Sequence, residues 1–333
     1  MAPIGTVQSF KVVTIFSDAR LSDDAQYLLR EGVAPHAIIF PQNPAASVLA
    51  KSEPDPRFAE AEIAFGQPEV ASIRFSKRLR WIHLTTAGYS RYDTADFRAL
   101  VAARGLLVTN SSSVYAAACA EHVFAFMLAH SRRLPLGLQT RTASGTPEWL
   151  ELRNASTSLC GQCAVILGFG AIATHLVKLL APFEMQITAM RRRSRGDEGV
   201  ITITSEQLPE ALASADHVIN LLPENAQSAH FINARRLAAM KRGAVFYNIG
   251  RGTTVEQHAL VEALRSGHLD AAWLDVTDPE PLPPDHPLLF APNCFITPHT
   301  AGGHRHESKT LVRHFLANLR RFLAGQPLCD RIM

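Results

Sequence analysis

Charge, cysteine and long apolar runs are all scarce in this chain. Only 19% of its residues are Asp, Glu, Lys or Arg, and the formal net charge is +3. So small an excess, spread thinly, excludes the dense basic face that a nucleic acid or an anionic membrane surface requires. No run of 18 apolar residues occurs, so nothing is expected to span a bilayer. Met1 to Lys11 has no basic segment leading into an apolar core of about seven or more residues, and a secretory leader is not expected there. The cysteines number 5, an odd count without an export signal, so reduced thiols and a cytoplasmic location are expected. Cys160-Gly161-Gln162-Cys163 has the spacing of half a zinc knuckle. No second pair matches it, so no metal is expected. Against these absences stands a hydrophobic content of 47% in 333 residues, which suits two domains with sizeable cores.

Short β-type runs alternate with helical stretches, the pattern of parallel α/β sheets. The first third predicts strands over 12–16, 37–40, 63–65, 81–84 and 106–109, with Ser22-Asp23-Asp24 capping an early helix. Residues 114–129 are apolar on nearly every face and rich in small side chains. Such a helix is expected to be buried all round, between domains or against a second subunit. Residues 134–158 carry Gly, Pro, Thr and Ser, with Trp149 among them, and read as an irregular arm or linker. A cleaner alternation follows, with strands over 164–167, 186–190, 218–222, 244–248, 271–274 and 294–297. Helices are expected from 171 and over 206–214, 234–240 and 256–266, and a last one over 307–323. That is a doubly wound sheet whose working loops lie at the carboxyl ends of its strands.

The candidate chemistry sits just after those strands. Gly168-Phe169-Gly170-Ala171-Ile172-Ala173 follows a strand and opens a helix. In that context the glycines allow the tight turn and the close approach of a pyrophosphate, whose charge meets the N–H groups of the helix N-terminus. The next strand ends in Met190-Arg191-Arg192-Arg193-Ser194-Arg195, with no carboxylate there for a ribose 2′-hydroxyl. Arg191 and Arg192 would instead hold a 2′-phosphate, which favours NADP, with NADPH preferred and NAD possible. Arg251 in Asn248-Ile249-Gly250-Arg251-Gly252, Glu280 in Asp278-Pro279-Glu280-Pro281 and His299 in Thr297-Pro298-His299-Thr300 form an ordered set. Reduction of a 2-oxo acid needs these three types. Arg holds a carboxylate in its fork and stabilises charge growing on the carbonyl oxygen, His passes a proton, and Glu orients that His and favours its charged form. His304 and His306 are expected on the exposed start of the last helix.

With those motifs in that order, the chain resembles the D-isomer-specific 2-hydroxyacid dehydrogenases, which include glyoxylate/hydroxypyruvate reductases and phosphoglycerate dehydrogenases. The resemblance runs over about 81–306, through 116–121, 168–173, 248–252, 274–282 and 297–302. It implies catalytic roles for Arg251, Glu280 and His299, and a nicotinamide carboxamide contact for Asp275. Leu222, Pro223, Ile249, Gly250 and Gly302 would be further cofactor contacts. Backbone amides of the loop Thr86-Ala87-Gly88-Tyr89 would grip the carboxylate of a small 2-oxo or 2-hydroxy acid. It also implies a flavodoxin-like substrate domain from 1–109 plus 299–333, a Rossmann cofactor domain over 110–298, and a homodimer. Two departures stand out: Met190-Arg191 replaces the usual acidic residue, and Thr277 stands where an aromatic is common. Tyr89, Arg91, His83 and Phe65 are candidates for substrate specificity. Two other functions fit the scaffold. Formate-type enzymes carry Gln where Glu280 stands, which argues against formate and leaves a phosphite-type activity. A catalytically silent, dinucleotide-sensing corepressor would keep the same three residues.

Overall fold

The computed structural model describes residues 12–43, 54–141 and 143–333. Met1 to Lys11, read above for a leader, lies outside the described residues. The chain divides into two compact units, one of Met1–Val114 with Arg305–Met333 and the other of Tyr115–His304.

The first unit is built on β1 (Thr14–Ser17), β2 (Ala37–Ile39), β3 (Ile63–Gly66), β4 (Trp81–Leu84) and β5 (Leu107–Thr109). They lie in the order β2-β1-β3-β4-β5, every pair parallel, which is the flavodoxin-like winding. Alternate residues of β3 face opposite sides. Ile63 and Phe65 meet Val312, Phe315 and Leu319 of the C-terminal helix Glu307–Leu323, while Ala64 joins Ile82, Leu84 and Phe97. The chain end returns to the same sheet, where Val108 exchanges backbone hydrogen bonds with Ile332 and Met333. Phe65 and His83, considered above for specificity, are fully buried in this core. His83 Nδ1 meets Thr109 Oγ1 at 2.7 Å, and burial pushes its ring down to about 3, so it is a neutral core residue rather than a substrate contact. Ser22 precedes the helix Asp23–Val33, but its hydroxyl donates to Asp24 instead of accepting a helix N–H, so the expected side-chain cap is absent.

The second unit has β6 (Cys163–Leu167), β7 (Gln186–Met190), β8 (Ile201–Ile203), β9 (His217–Asn220), β10 (Ala244–Asn248), β11 (Leu269–Leu274) and β12 (Cys294–Ile296). Their order is β12-β11-β10-β9-β6-β7-β8, all parallel, a Rossmann winding with one strand added. Val165, Leu167 and Phe246 fill one face, and Ala164, Ile166, Val245 and Tyr247 fill the other. A sheet covered on both sides explains why these strands read as continuous apolar runs. Sequence order reverses between β6 and β9, and the crevice at such a switch point is where doubly wound sheets bind ligands.

Three expectations change here. The helix Ser112–Ser131 buries a stripe, Ala116, Ala120, Val123 and Met127, but leaves Ala117, Glu121 and Ala125 exposed, so it is not buried all round within this chain. By length and composition alone it could cross a membrane, yet its stripe is packed into the core with Ile166 and Leu176. Residues 134–158 are not irregular either, since they form the helices Leu134–Gln139 and Pro147–Ala155. Thr146 caps the second by accepting from Trp149 N, with Pro147 in its first turn, a start signal hidden among residues that otherwise suggest a loop. Strand β9 stops at Asn220, two residues before its expected end at 222, because Leu222 N turns back to Asn220 Oδ1 at 3.3 Å.

Candidate active site

The turn after β10 is held by a buried polar network. Asn220 Nδ2 donates to Asn248 Oδ1 (2.9 Å) and Thr254 Oγ1 (2.7 Å), and Gly250 N donates to Asn248 Oδ1 (3.1 Å). Asn248 Nδ2 (3.1 Å) and Thr254 Oγ1 (2.6 Å) both donate to the Arg251 carbonyl. Buried groups satisfied in this way leave a turn few alternatives. Gly252 admits no side chain, because a Cβ there would stand 2.0 Å from the Thr277 carbonyl. The turn carrying Arg251 therefore interlocks with the turn leading to Glu280. Arg251 is half-buried, its Nη1 donating to its neighbour Gly250 O at 2.7 Å. Among the described residues it hydrogen-bonds neither Glu280 nor His299.

Glu280 and His299 are brought together. Glu280 Oε2 lies 3.0 Å from His299 Nδ1, and its Oε1 accepts from Thr277 N at 3.1 Å. The side chains are 39% and 50% exposed, so the pair contributes orientation more than net stability. His299 has φ +52, the left-handed region, which costs a residue with a Cβ about 1–3 kcal/mol. Asp275 offsets that strain. Its carbonyl accepts from His299 N (2.9 Å), and its carboxylate accepts from Thr300 N (2.8 Å), Ala301 N (2.9 Å) and Thr297 Oγ1 (2.6 Å). That carboxylate is 1% exposed, with His122 Nε2 3.7 Å from it and 3.2 Å from Thr297 Oγ1. Burial lowers the His122 pKa, so the neutral ring is favoured there.

At the switch point, Gly168 follows β6 with φ +93, and a Cβ there would press on Leu221 O at 3.3 Å. Gly170 precedes the helix Ala171–Leu180 with nothing within 4 Å of where its Cβ would be. Phe169, Ala171 and Ile172 are half-buried around this turn. A glycine turn with open space over a helix N-terminus fits the pyrophosphate of a dinucleotide. Leu222 and the exposed Pro223 follow β9 on the other side of the switch, and Ile249 is buried after β10. Gly302 lies against Tyr115, whose ring would be 3.0 Å from an added Cβ. The arginine run is less free than its sequence suggests. Arg191 Nη1 donates to Glu198 Oε1 at 2.7 Å, and Arg192 Nη1 to Gln227 Oε1 at 3.0 Å. A carboxylate is thus present at this strand end after all. It comes from seven residues downstream, folded back by the turn through Gly196 at φ +80.

In the first unit, the loop after β4 is clamped from several sides. Gln67 Nε2 donates to Thr85 Oγ1 (3.3 Å) and Thr86 Oγ1 (3.0 Å), and Thr86 Oγ1 to Gly88 O (2.6 Å). Asn110 Nδ2 donates to Ala87 O at 2.7 Å. Ala87, Gly88 and Tyr89 are half-buried, and Arg91 is ion-paired with Glu69. Gln67 N is held by Asp18 Oδ1 at 2.8 Å, and burial pushes that carboxyl up to about 6. The supporting residues Asn220, Thr254, His122, Gln67, Asn110 and Glu198 were not found from sequence. For Gln67 and Asn110 the available signal was a polar residue directly after an apolar strand, and for Asn220 a polar residue closing one. Glu198 had none.

Residues 124–301 match the family described as D-isomer specific 2-hydroxyacid dehydrogenase, NAD binding domain. The chain is similar to the human glyoxylate reductase/hydroxypyruvate reductase, 32% identical over 227 residues, covering 68% of this chain and 69% of that protein. A D-isomer specific 2-hydroxyacid dehydrogenase family protein from Aeromonas salmonicida superimposes with a TM-score of 0.76 at 28% identity, covering 97% of this chain and 99% of that one. A D-isomer specific 2-hydroxyacid dehydrogenase from Xanthobacter autotrophicus, solved in complex with NADPH and MES, gives 0.77 at 25% identity, covering 97% of this chain and 98% of that one. With its two parallel sheets, its dinucleotide turn and these likenesses, the chain belongs to the D-isomer specific 2-hydroxyacid dehydrogenase family and is an NAD(P)-dependent oxidoreductase.

Proposed function

We propose that this enzyme is an NADPH-preferring reductase of a small 2-oxo acid of the glyoxylate or hydroxypyruvate kind, giving the D-hydroxy acid where a stereocentre forms. The observation that carries the reading is the 3.0 Å Glu280–His299 pair on a turn locked by Asp275. When bound, the reduced nicotinamide supplies the hydride. Arg251 holds the substrate carboxylate and stabilises the charge growing on the carbonyl oxygen. His299, with Nδ1 facing Glu280, delivers a proton from Nε2, and Glu280 keeps the ring aligned. The amides of Ala87, Gly88 and Tyr89 grip the substrate carboxylate, which makes the first unit the substrate domain and the second the cofactor domain. Gly168, Phe169, Gly170, Ala171, Ile172, Leu222, Pro223, Ile249, Gly250, Asp275 and Gly302 line the dinucleotide, with Arg191 and Arg192 on the 2′-phosphate.

Relatives named glyoxylate/hydroxypyruvate reductase support the substrate class, and the NADPH complex of the Xanthobacter protein supports the cofactor. A homodimer of cytoplasmic location completes the reading. Leu134, Leu136, Leu138 and Leu150, exposed on the two helices of the arm, suit burial against a second copy. A sedimentation mass of one chain would remove that part. The deciding experiment is an initial-rate panel of glyoxylate, hydroxypyruvate, pyruvate and bulkier 2-oxo acids with NADPH and NADH. Turnover of the first two, faster with NADPH, is expected. Tight NADPH binding with no turnover on any of them would favour the corepressor-type alternative.

A further inference from the structure

The loop between β7 and β8 is built around an anion that the protein itself supplies. Glu198 Oε1 accepts from Arg191 Nη1 and from Arg195 N, both at 2.7 Å. Its Oε2 accepts from Gly196 N at 2.9 Å and Ser194 Oγ at 3.1 Å. Two backbone amides, a hydroxyl and a guanidinium converging on two oxygens are the donors with which proteins hold a phosphate. The side chain is 2% exposed, while residues 192–197 around it are exposed. Chiefly through the Arg195 amide, these donors hold the carboxyl down at about 2, so it stays charged wherever the protein would be assayed.

An acidic side chain at this strand end reads the ribose 2′-hydroxyl in NAD sites. Glu198 is poorly placed for that task. A carboxylate offers about four acceptor positions, and four internal donors occupy them out of reach of solvent. We propose that Glu198 is a positioning residue that makes this loop selective for a 2′-phosphate, by gathering the 194–196 backbone and clamping one edge of the Arg191 guanidinium. Arg191 is then fixed beside the Phe169 ring, 6.0 Å from its centroid, at the turn that opens the dinucleotide site. The inference rests on the reading of the arginine run as the 2′-phosphate site.

A negative charge near a phosphate also repels it, but here the repulsion is the smaller effect. Arg191 and the two amides already neutralise the carboxylate, and salt screens what remains over roughly 8–10 Å. Removing the carboxylate, in contrast, unclamps Arg191 and leaves the loop without its only internal anchor of this kind among the described residues. Loss of position therefore outweighs relief of repulsion.

Calorimetry with adenosine 2′,5′-bisphosphate and with 5′-AMP reads the phosphate site without turnover, and initial rates with NADPH and NADH read the whole cofactor. Glu198→Gln removes the charge at constant size, Glu198→Ala removes both, and Glu198→Asp keeps the charge one methylene short. Relative to 5′-AMP, bisphosphate binding should weaken on the order of 10-fold in the Gln and Ala variants, the worth of one charged hydrogen bond. The Asp variant should fall in between, and the NADPH/NADH ratio of kcat/KM should drop in parallel. Tighter bisphosphate binding in Glu198→Gln would overturn the proposal by showing a repelling charge. A preference in the unmodified enzyme that survives both substitutions in folded protein would overturn the proposal alone. Equal binding of the two nucleotides by the unmodified enzyme would remove the 2′-phosphate reading and the proposal with it.

Discussion

Two loops of the second unit solve one problem in different ways. The His299 turn and the 191–198 loop each carry a side chain of the proposed site, and each is organised by a carboxylate that is almost wholly buried: Asp275 at 1% and Glu198 at 2% exposure. Asp275 sits at the end of β11 and takes donors 22 to 26 residues away, beyond β12. Glu198 takes donors only 2 to 7 residues away. The first anchor therefore ties its loop to the sheet, and the second ties its loop to itself. A sheet-anchored turn can hold a proton donor in a left-handed conformation to the tolerance that chemistry needs. A self-anchored loop fixes a charge to the looser tolerance that phosphate recognition needs.

The largest effect is expected at His299. His299→Ala should lower kcat by roughly 10²–10⁴-fold while NADPH still binds, because a general acid is lost and not a nucleotide contact. Near-normal turnover would end the assignment of the His299 turn as the catalytic one. Asp275→Asn should come next. Its amide cannot accept from Thr300 N, Ala301 N and the Thr297 hydroxyl together, and losing charge-assisted bonds worth about 1.5–3 kcal/mol predicts a kcat fall of about 10–100-fold. Fluorescence titration separates the two possible roles. A raised Kd for NADPH with kcat unchanged would leave Asp275 as a cofactor contact alone and remove its role as the anchor of the His299 turn.

The smallest effect is expected in the first unit. Asp18 is a half-buried carboxyl with few donors, and desolvation pushes it up to about 6 from 3.8, the opposite direction to Glu198. Below the unfolded value both states are protonated. Between 3.8 and about 6 only the folded state keeps the proton, so the stability from Asp18 is full in acid and is lost as pH rises through about 6. The loss is at most about 3 kcal/mol at 1.36 kcal/mol per pKa unit. Asp18→Asn keeps an acceptor for Gln67 N and should flatten that decline. Urea midpoints at pH 5 and pH 8 that differ as much in the variant as in the unmodified protein would show that Asp18 titrates normally.

The amino-acid order alone specified the parallel α/β class, most strands of both sheets, the glycine turn at Gly168 and the approach of Glu280 to His299. Each rests on a local pattern, an apolar run of strand length followed by a glycine or a polar residue, and such patterns survive in one dimension because a sheet buried on both faces demands them. Only the tertiary structure decided that Phe65 and His83 are core, that the helices Leu134–Gln139 and Pro147–Ala155 exist, and that Arg191 is already paired. The same holds for the anchors. Asn220, at the end of β9, meets Asn248, which closes β10, and Thr254 of the turn after it. Asp275 gathers amides from beyond the next strand, and Glu198 looks like any exposed loop acid until the chain turns at Gly196. A hydrogen bond between distant residues leaves no periodicity in the chain, because its partners are set by where the strands end in space and not by their spacing in sequence.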